Sequence, residues 1–129
     1  MNDTHSTIAA AFEAAGDRRH LADAERLYDE GSDPVEVFFI REGAVTLHRR
    51  GSAGAGDRIG EKRPGELVGE SAALDRLPRT VSAQALGPAT VDVLSAERFR
   101  ELLQNDARAC YEVAVALART LRAAGTPRA

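Results

Sequence analysis

One cysteine in 129 residues leaves Cys110 with no partner for an internal disulfide and no companions for a zinc or iron–sulfur site. Histidine is nearly as scarce: His5, His20 and His48 stand apart, with no His-x-His or His-x-x-x-His spacing. A metal-dependent barrel enzyme needs three convergent ligands, so no metal site is expected. A basic excess is also missing. With 17 Lys and Arg against 20 Asp and Glu, the formal charge is −3, and a nucleic-acid surface would need a local patch that the sequence does not display. Long apolar runs are absent as well. The amino terminus, MNDTHSTIAAAFEAAGDRR, lacks the basic start and apolar stretch of a signal peptide, and no segment reaches membrane length. Together these absences predict a cytoplasmic protein with neither membrane nor direct nucleic-acid binding, in which Cys110 serves as a small hydrophobe on the last helix.

What is present suffices for one compact domain over 1–129, with 43% hydrophobic residues to build a modest core. Composition predicts a helix over 4–15, with Thr4 or Ser6 as caps, Ile8, Ala11, Phe12 and Ala15 on one side, and Gly16 as its stop. Residues 18–30 read as two short strands leading to a turn through Gly31, Ser32, Asp33 and Pro34. The run VEVFFIREGAVTLHRR alternates Val35, Val37 and Phe39 against Glu36, Phe38 and Ile40. It breaks at Glu42 and Gly43 and resumes with Val45 and Leu47, which predicts a hairpin. The glycines at 51, 54, 56, 60 and 65 miss the dinucleotide fingerprint, and no P-loop Lys-Ser/Thr pair accompanies them, so this segment reads as a flexible hairpin connection.

Further along, Gly87 and Pro88 predict a turn before a strand with Val91 and Val93 on one face. Ser95 is placed to cap a helix whose buried stripe is Phe99, Leu102 and Leu103. A last helix over about 106–124 carries Tyr111, Val113, Val115, Leu117 and Leu121 as apolar markers and stops at Gly125 and Pro127. Many short strands followed by helices predict a mainly β fold. It is an antiparallel jelly-roll barrel over about 18–94, with an N-terminal helix, a short helix within the barrel sequence and two C-terminal helices over about 95–124.

The stretch PGELVGESAALDRLPRTVSAQA, residues 64–85, holds the chemistry. A strand end at Glu66, Leu67 and Val68 runs into Gly69 and Glu70, one helical turn covers Ser71 to Leu74, and a Pro78-Arg79 pair opens a strand on which Val81, Ala83 and Ala85 share a face. Free amides at a helix start attract anions, and an arginine on the adjacent strand offers a planar fork suited to phosphate. Ser71 has no histidine placed near it and no following glycine, so it is not a nucleophile elbow.

On Gly69, Glu70, Pro78, Arg79 and Thr80 the chain resembles the cyclic-nucleotide-binding domain family of catabolite-activator proteins, kinase regulatory subunits and cyclic-nucleotide-gated channels. Its phosphate-binding cassette joins a Gly-Glu pair, a short helix and a Pro-Arg-Thr or Pro-Arg-Ala ending. The resemblance covers about 12–123 and departs at Val68, where the family usually has an aromatic residue, and at Gln84, where a basic residue is common. It implies that Glu70 accepts a hydrogen bond from the ribose 2′-hydroxyl and that Arg79 pairs with the cyclic phosphate. The amides of Ser71 and Ala72 would cap that phosphate, and Thr80 would add a hydroxyl near phosphate and base. It further implies that Ala124 and Gly125 occupy the base-contacting positions of the last helix.

Alone, Arg79 would read as a salt-bridging surface arginine and Glu70 as a solvated carboxylate; within this frame both read as ligand contacts. The expected function is a non-enzymatic sensor of cAMP or cGMP, without a cofactor, monomeric or weakly dimeric. It would signal to a separate protein effector, because no helix-turn-helix, kinase or channel follows the last helix. The alternative is a structural or interaction domain of the same fold that has lost nucleotide binding; a small barrel enzyme is the weakest reading.

Overall fold

The computed structural model describes residues 6–50 and 56–125. In chain order these form helix α1 (Ser6–Ala15), strands β1 (Asp17–Leu21), β2 (Arg26–Tyr28), β3 (Glu36–Arg50), β4 (Gly56–Lys62) and β5 (Leu67–Val68), helix α2 (Glu70–Asp75), strand β6 (Ser82–Ser95), and helices α3 (Ala96–Asn105) and α4 (Ala107–Ala124). Every strand pairing is antiparallel, in the order β1-β6-β3-β4, with β2 joined to β6 and β5 to β3. The result is the expected mainly β jelly roll with flanking helices.

Two expected chain reversals are bends instead. Gly43 does not close a hairpin, and Gly87 with Pro88 does not divide two strands; β3 and β6 each run unbroken through those positions. The pairing explains why. Between Glu42↔Thr90 and Ala44↔Leu86, Gly43 alone opposes Gly87, Pro88 and Ala89, so the extra residues bulge and both strands bend together. Gly43 has φ 85°, and a Cβ there would stand 2.5 Å from the Pro88 carbonyl oxygen and 2.8 Å from Ala89 Cα. The glycine-rich segment is likewise half strand: residues 56–62 form β4 against β3, while the connection at 51–55 lies outside the described residues.

Alternation along β3 divides the core in two. Val37 and Phe39 face the helices, with Ile8, Phe12, Leu67, Leu94, Phe99 and Val113. Phe38 and Ile40 face the barrel interior, with Val45, Val68, Ala83, Ala85, Val91 and Val93. Both faces are buried because helices cover one side of the sheet and the barrel closes on the other. Fully burying each such side chain contributes about 1.5–3 kcal/mol.

The two C-terminal helices start where local caps predict. Ser95 Oγ accepts from the Arg98 amide at 3.1 Å, and Asp106 Oδ1 accepts from the Ala109 amide at 3.0 Å. The N-terminal helix is capped at a distance: Glu112 of α4 accepts from the amides of Thr7 (3.1 Å) and Ile8 (3.0 Å). Of its expected stripe, Ile8 and Phe12 are buried but Ala15 is exposed. Pro127 and Thr4 lie outside the described residues.

The markers on α4 divide. Val113 is buried and Leu117 packs on the core, but Tyr111 and Leu121 are 67% and 72% exposed. Cys110, on the same helix, is exposed as well. The cause is that α4 touches the core along a single stripe through Ala109, Glu112 and Val113, and residues 118–125 are all exposed.

Candidate functional site

Strand β5 pairs with the buried part of β3, Phe38 opposite Val68 and Phe39 opposite Leu67, which fixes the height at which the chain leaves the sheet. Gly69 then turns the chain with φ 85° into α2. A side chain there is excluded twice: by the left-handed backbone, and because a Cβ would stand 2.5 Å from Arg79 Nη1 and 3.1 Å from Tyr28 Cε2. Helix α2 ends at Arg76, itself left-handed, whose amide donates to Ala72 O at 2.8 Å. Asp75 Oδ1 then accepts from the Leu77 amide at 3.1 Å, which turns the chain toward Pro78. Residue 79 is tied by its main chain to the turn before β3. Its amide donates to Ser32 O at 2.9 Å, and its carbonyl accepts from the Gly31 amide at 2.8 Å.

These ties direct the Arg79 side chain inward, where it is 4% exposed. Nη1 donates to Gly69 O at 2.6 Å and Nη2 donates to Glu36 O. Its Cζ lies 3.9 Å from the centroid of the Tyr28 ring. Arg79 forms no ion pair with a carboxylate among the described residues. Its Nε is buried, with no hydrogen-bond partner among the described residues. Arg79 is therefore not the salt-bridged surface arginine that its residue type alone suggests. Burial holds its guanidinium below the usual arginine value, against the opposing pull of Tyr28, Glu36 and Glu70.

Above Arg79 opens a cavity of about 210 Å³. All six residues singled out in the sequence, Gly69, Glu70, Ser71, Ala72, Arg79 and Thr80, line it. Burial pushes the Glu70 carboxyl above the ordinary carboxylate range, with its own amide, Lys62 and Arg79 drawing it partly back. Burial also pushes the Tyr28 phenol up to about 12, with Glu70 adding to the rise and Arg79 opposing it.

The sequence reading missed three polar members of the wall: Tyr28, Lys62 and Thr120. Tyr28 and Lys62 sit at the ends of β2 and β4, with no motif to mark them, and only the closed barrel brings them to the cassette. Thr120 corrects the placement of the last helix. The side chain α4 brings to the cavity is Thr120, one turn before Ala124 and Gly125, because the barrel mouth meets the helix at that level. A larger hollow of about 350 Å³ lies between α2, α3 and α4, walled mainly by Leu74, Leu103, Val113 and Leu117. Arg76, Arg100 and Gln104 also line it, but it takes in none of the six residues singled out in the sequence. Among the described residues no three His, Cys, Asp or Glu side chains gather as a metal site, and no helix is long and apolar enough to cross a membrane.

Comparison with known proteins places this geometry among relatives. The cyclic nucleotide-binding domain family matches residues 18–106. The Thermus thermophilus catabolite activator protein is similar in structure, at 25% identity and a TM-score of 0.80 over 92% of this chain and 56% of that one. This chain thus spans little more than half the length of that relative. The N-terminal domain of a transcriptional regulator from Streptomyces coelicolor A3(2) is similar at 26% identity and a TM-score of 0.72, over 96% of this chain and 89% of the other. A cyclic nucleotide-binding-like protein from Brucella abortus is 26% identical with a TM-score of 0.63, over 74% of this chain and 82% of that one. Comparison with curated proteins gave no match.

Proposed function

The chain belongs to the cyclic nucleotide-binding domain family, and from that premise we propose that it is a sensor module that takes cAMP or cGMP into the cassette cavity. It would perform no chemistry on the ligand and would signal through α3 and α4 to a separate protein. One observation carries the reading: at the base of a cavity, Arg79 is a buried cation that has no carboxylate partner, and no partner for its Nε, among the described residues. An isolated buried charge is costly unless a counter-ion joins it, and a cyclic phosphate supplies one negative charge with acceptor oxygens. Glu70, half-buried on the same wall, would accept from a ribose hydroxyl, and the amides of Ser71 and Ala72, in the first turn of α2, would cap the phosphate. Thr80 and Thr120, which line the same cavity, would offer hydroxyl oxygens to the base.

Titration calorimetry with cAMP and cGMP at millimolar concentration tests the proposal; no heat and no thermal shift with either would end it. Binding should stabilise the fold by about 2.7 kcal/mol at a hundredfold excess over Kd. AMP should stabilise it less, since its phosphate is not fused to the ribose, and equal stabilisation by AMP and cAMP would count against this use of the cassette. A second reading, a domain of this fold that has lost nucleotide binding, is favoured by the engagement of both Arg79 terminal nitrogens with main-chain carbonyls. The same titration separates the two.

A further inference from the structure

Tyr28 lies outside the cassette, on a strand that pairs with β6 opposite Ala83. Its ring nevertheless forms one side of the Arg79 environment. Gly69 O and Glu36 O hold the two terminal nitrogens of Arg79, and two acceptors alone leave a guanidinium free to rock about the axis through them. The Tyr28 ring, with its centroid 3.9 Å from Arg79 Cζ, blocks that motion from one face. The ring is itself braced by Phe38, centroids 6.1 Å apart and tilted by 34°. On the cassette side the missing side chain of Gly69 admits both groups, since a Cβ there would meet Arg79 and Tyr28 together. The electron-rich face of Tyr28 also supplies negative potential to a buried cation that forms no ion pair among the described residues.

We propose that Tyr28 is a positioning residue for the ligand anion: stacked under Arg79, it fixes the plane of the guanidinium before the phosphate arrives, so that binding has less ordering left to impose. The inference rests on the anion-binding reading of the cavity. It assigns affinity to a residue that touches Arg79 and need not touch the phosphate.

The test keeps the shape of the ring and changes its electrons. Phenylalanine and its mono-, di- and trifluoro analogues are placed at position 28, and Kd for cAMP is measured on the full chain. Tyr28→Phe should bind within about twofold of the unmodified protein, and affinity should then fall stepwise to about five- to tenfold weaker at the trifluoro ring. In an Arg79→Gln background the series should be flat. Three results overturn the proposal: equal affinity across the series, a loss already complete at Tyr28→Phe, which would assign the effect to the hydroxyl, or an undiminished fall in the Arg79→Gln background, which would place it in the cavity wall. Failure of the unmodified protein to bind either cyclic nucleotide sinks the sensor reading and this role with it. Binding that ignores the ring sinks the role of Tyr28 alone.

Discussion

Arg79 joins the cassette to β3 through the Gly69 and Glu36 carbonyls, and on the proposed sensor reading it would also offer its remaining N–H groups to an anion. Hydrogen bonds to charged groups are worth about 1.5–3 kcal/mol, so Arg79→Ala should weaken cyclic-nucleotide binding at least about tenfold. It should also lower the melting temperature, because two carbonyls lose their donor. Calorimetry and a thermal melt on the same variant measure both effects, and an unchanged Kd would remove Arg79 from the site. Glu70 carries the opposite conflict. Its carboxyl titrates above the ordinary range in the folded chain because burial disfavours the charge. Between the unfolded and folded values the folded state binds more protons, so stability falls as pH rises through that window. Glu70→Gln should therefore raise the melting temperature of the ligand-free protein at neutral pH, and it should weaken binding less than Glu70→Ala, since the amide keeps an acceptor. A Gln variant that melts below wild type at pH 7 would refute the burial argument.

At the scale of the element, helix starts differ in how local their causes are. The caps Ser95 and Asp106 lie within three residues of the amides they satisfy, and for that reason α3 and α4 were legible in the sequence almost to the residue. The cap of α1 comes from Glu112, more than a hundred residues away, and no local pattern could name it. Losing such a cap costs about 0.5–2 kcal/mol. Glu112→Ala should accordingly lower the melting temperature by several degrees, at about 4–8 °C per kcal/mol in a small domain. A wild-type melt would mean that Ile8 and Phe12 alone hold the helix. The bends of β3 and β6 follow the same logic. Gly43 and Gly87-Pro88 announce interruptions, but whether an interruption reverses a strand or bends it depends on the opposite strand, here three residues set against one.

Across the whole molecule, Asp92 is the electrostatic joint. It is 1% exposed on β6 and takes Arg18 from β1 and Arg41 from β3, and Arg41 also donates to Ala9 O of α1 at 2.6 Å. Burial alone would raise its carboxyl, yet the hydrogen bonds and charges of the two arginines prevail and hold it below the usual aspartate range. A depressed folded value means that this stabilisation is complete above about pH 3.9, the unfolded aspartate value, and is lost as pH falls through the folded one. Asp92→Asn should melt well below wild type at pH 7, and the gap between the two should narrow steadily below about pH 4. Thermal melts across that range check it, and a gap independent of pH would mean that Asp92 contributes by shape and not by charge.

The sequence by itself determined the features whose physical causes are local. Alternating apolar residues give strands, side-chain oxygens at the residue before a helix give its start, and a Gly-Glu to Pro-Arg-Thr frame with a short helix gives the cassette. All six residues read from that frame line one cavity. Tertiary structure decided what depends on chain segments distant in sequence. It buried Arg79 with no carboxylate partner among the described residues, set Tyr28 under it, brought Lys62 and Thr120 to the wall, and left Tyr111 and Leu121 on the surface because α4 meets the core along a single stripe. Side-chain identity and spacing specify what a residue can do, but the desolvation of the Arg79 guanidinium, on which the proposed anion binding rests, exists only once the barrel has closed around it.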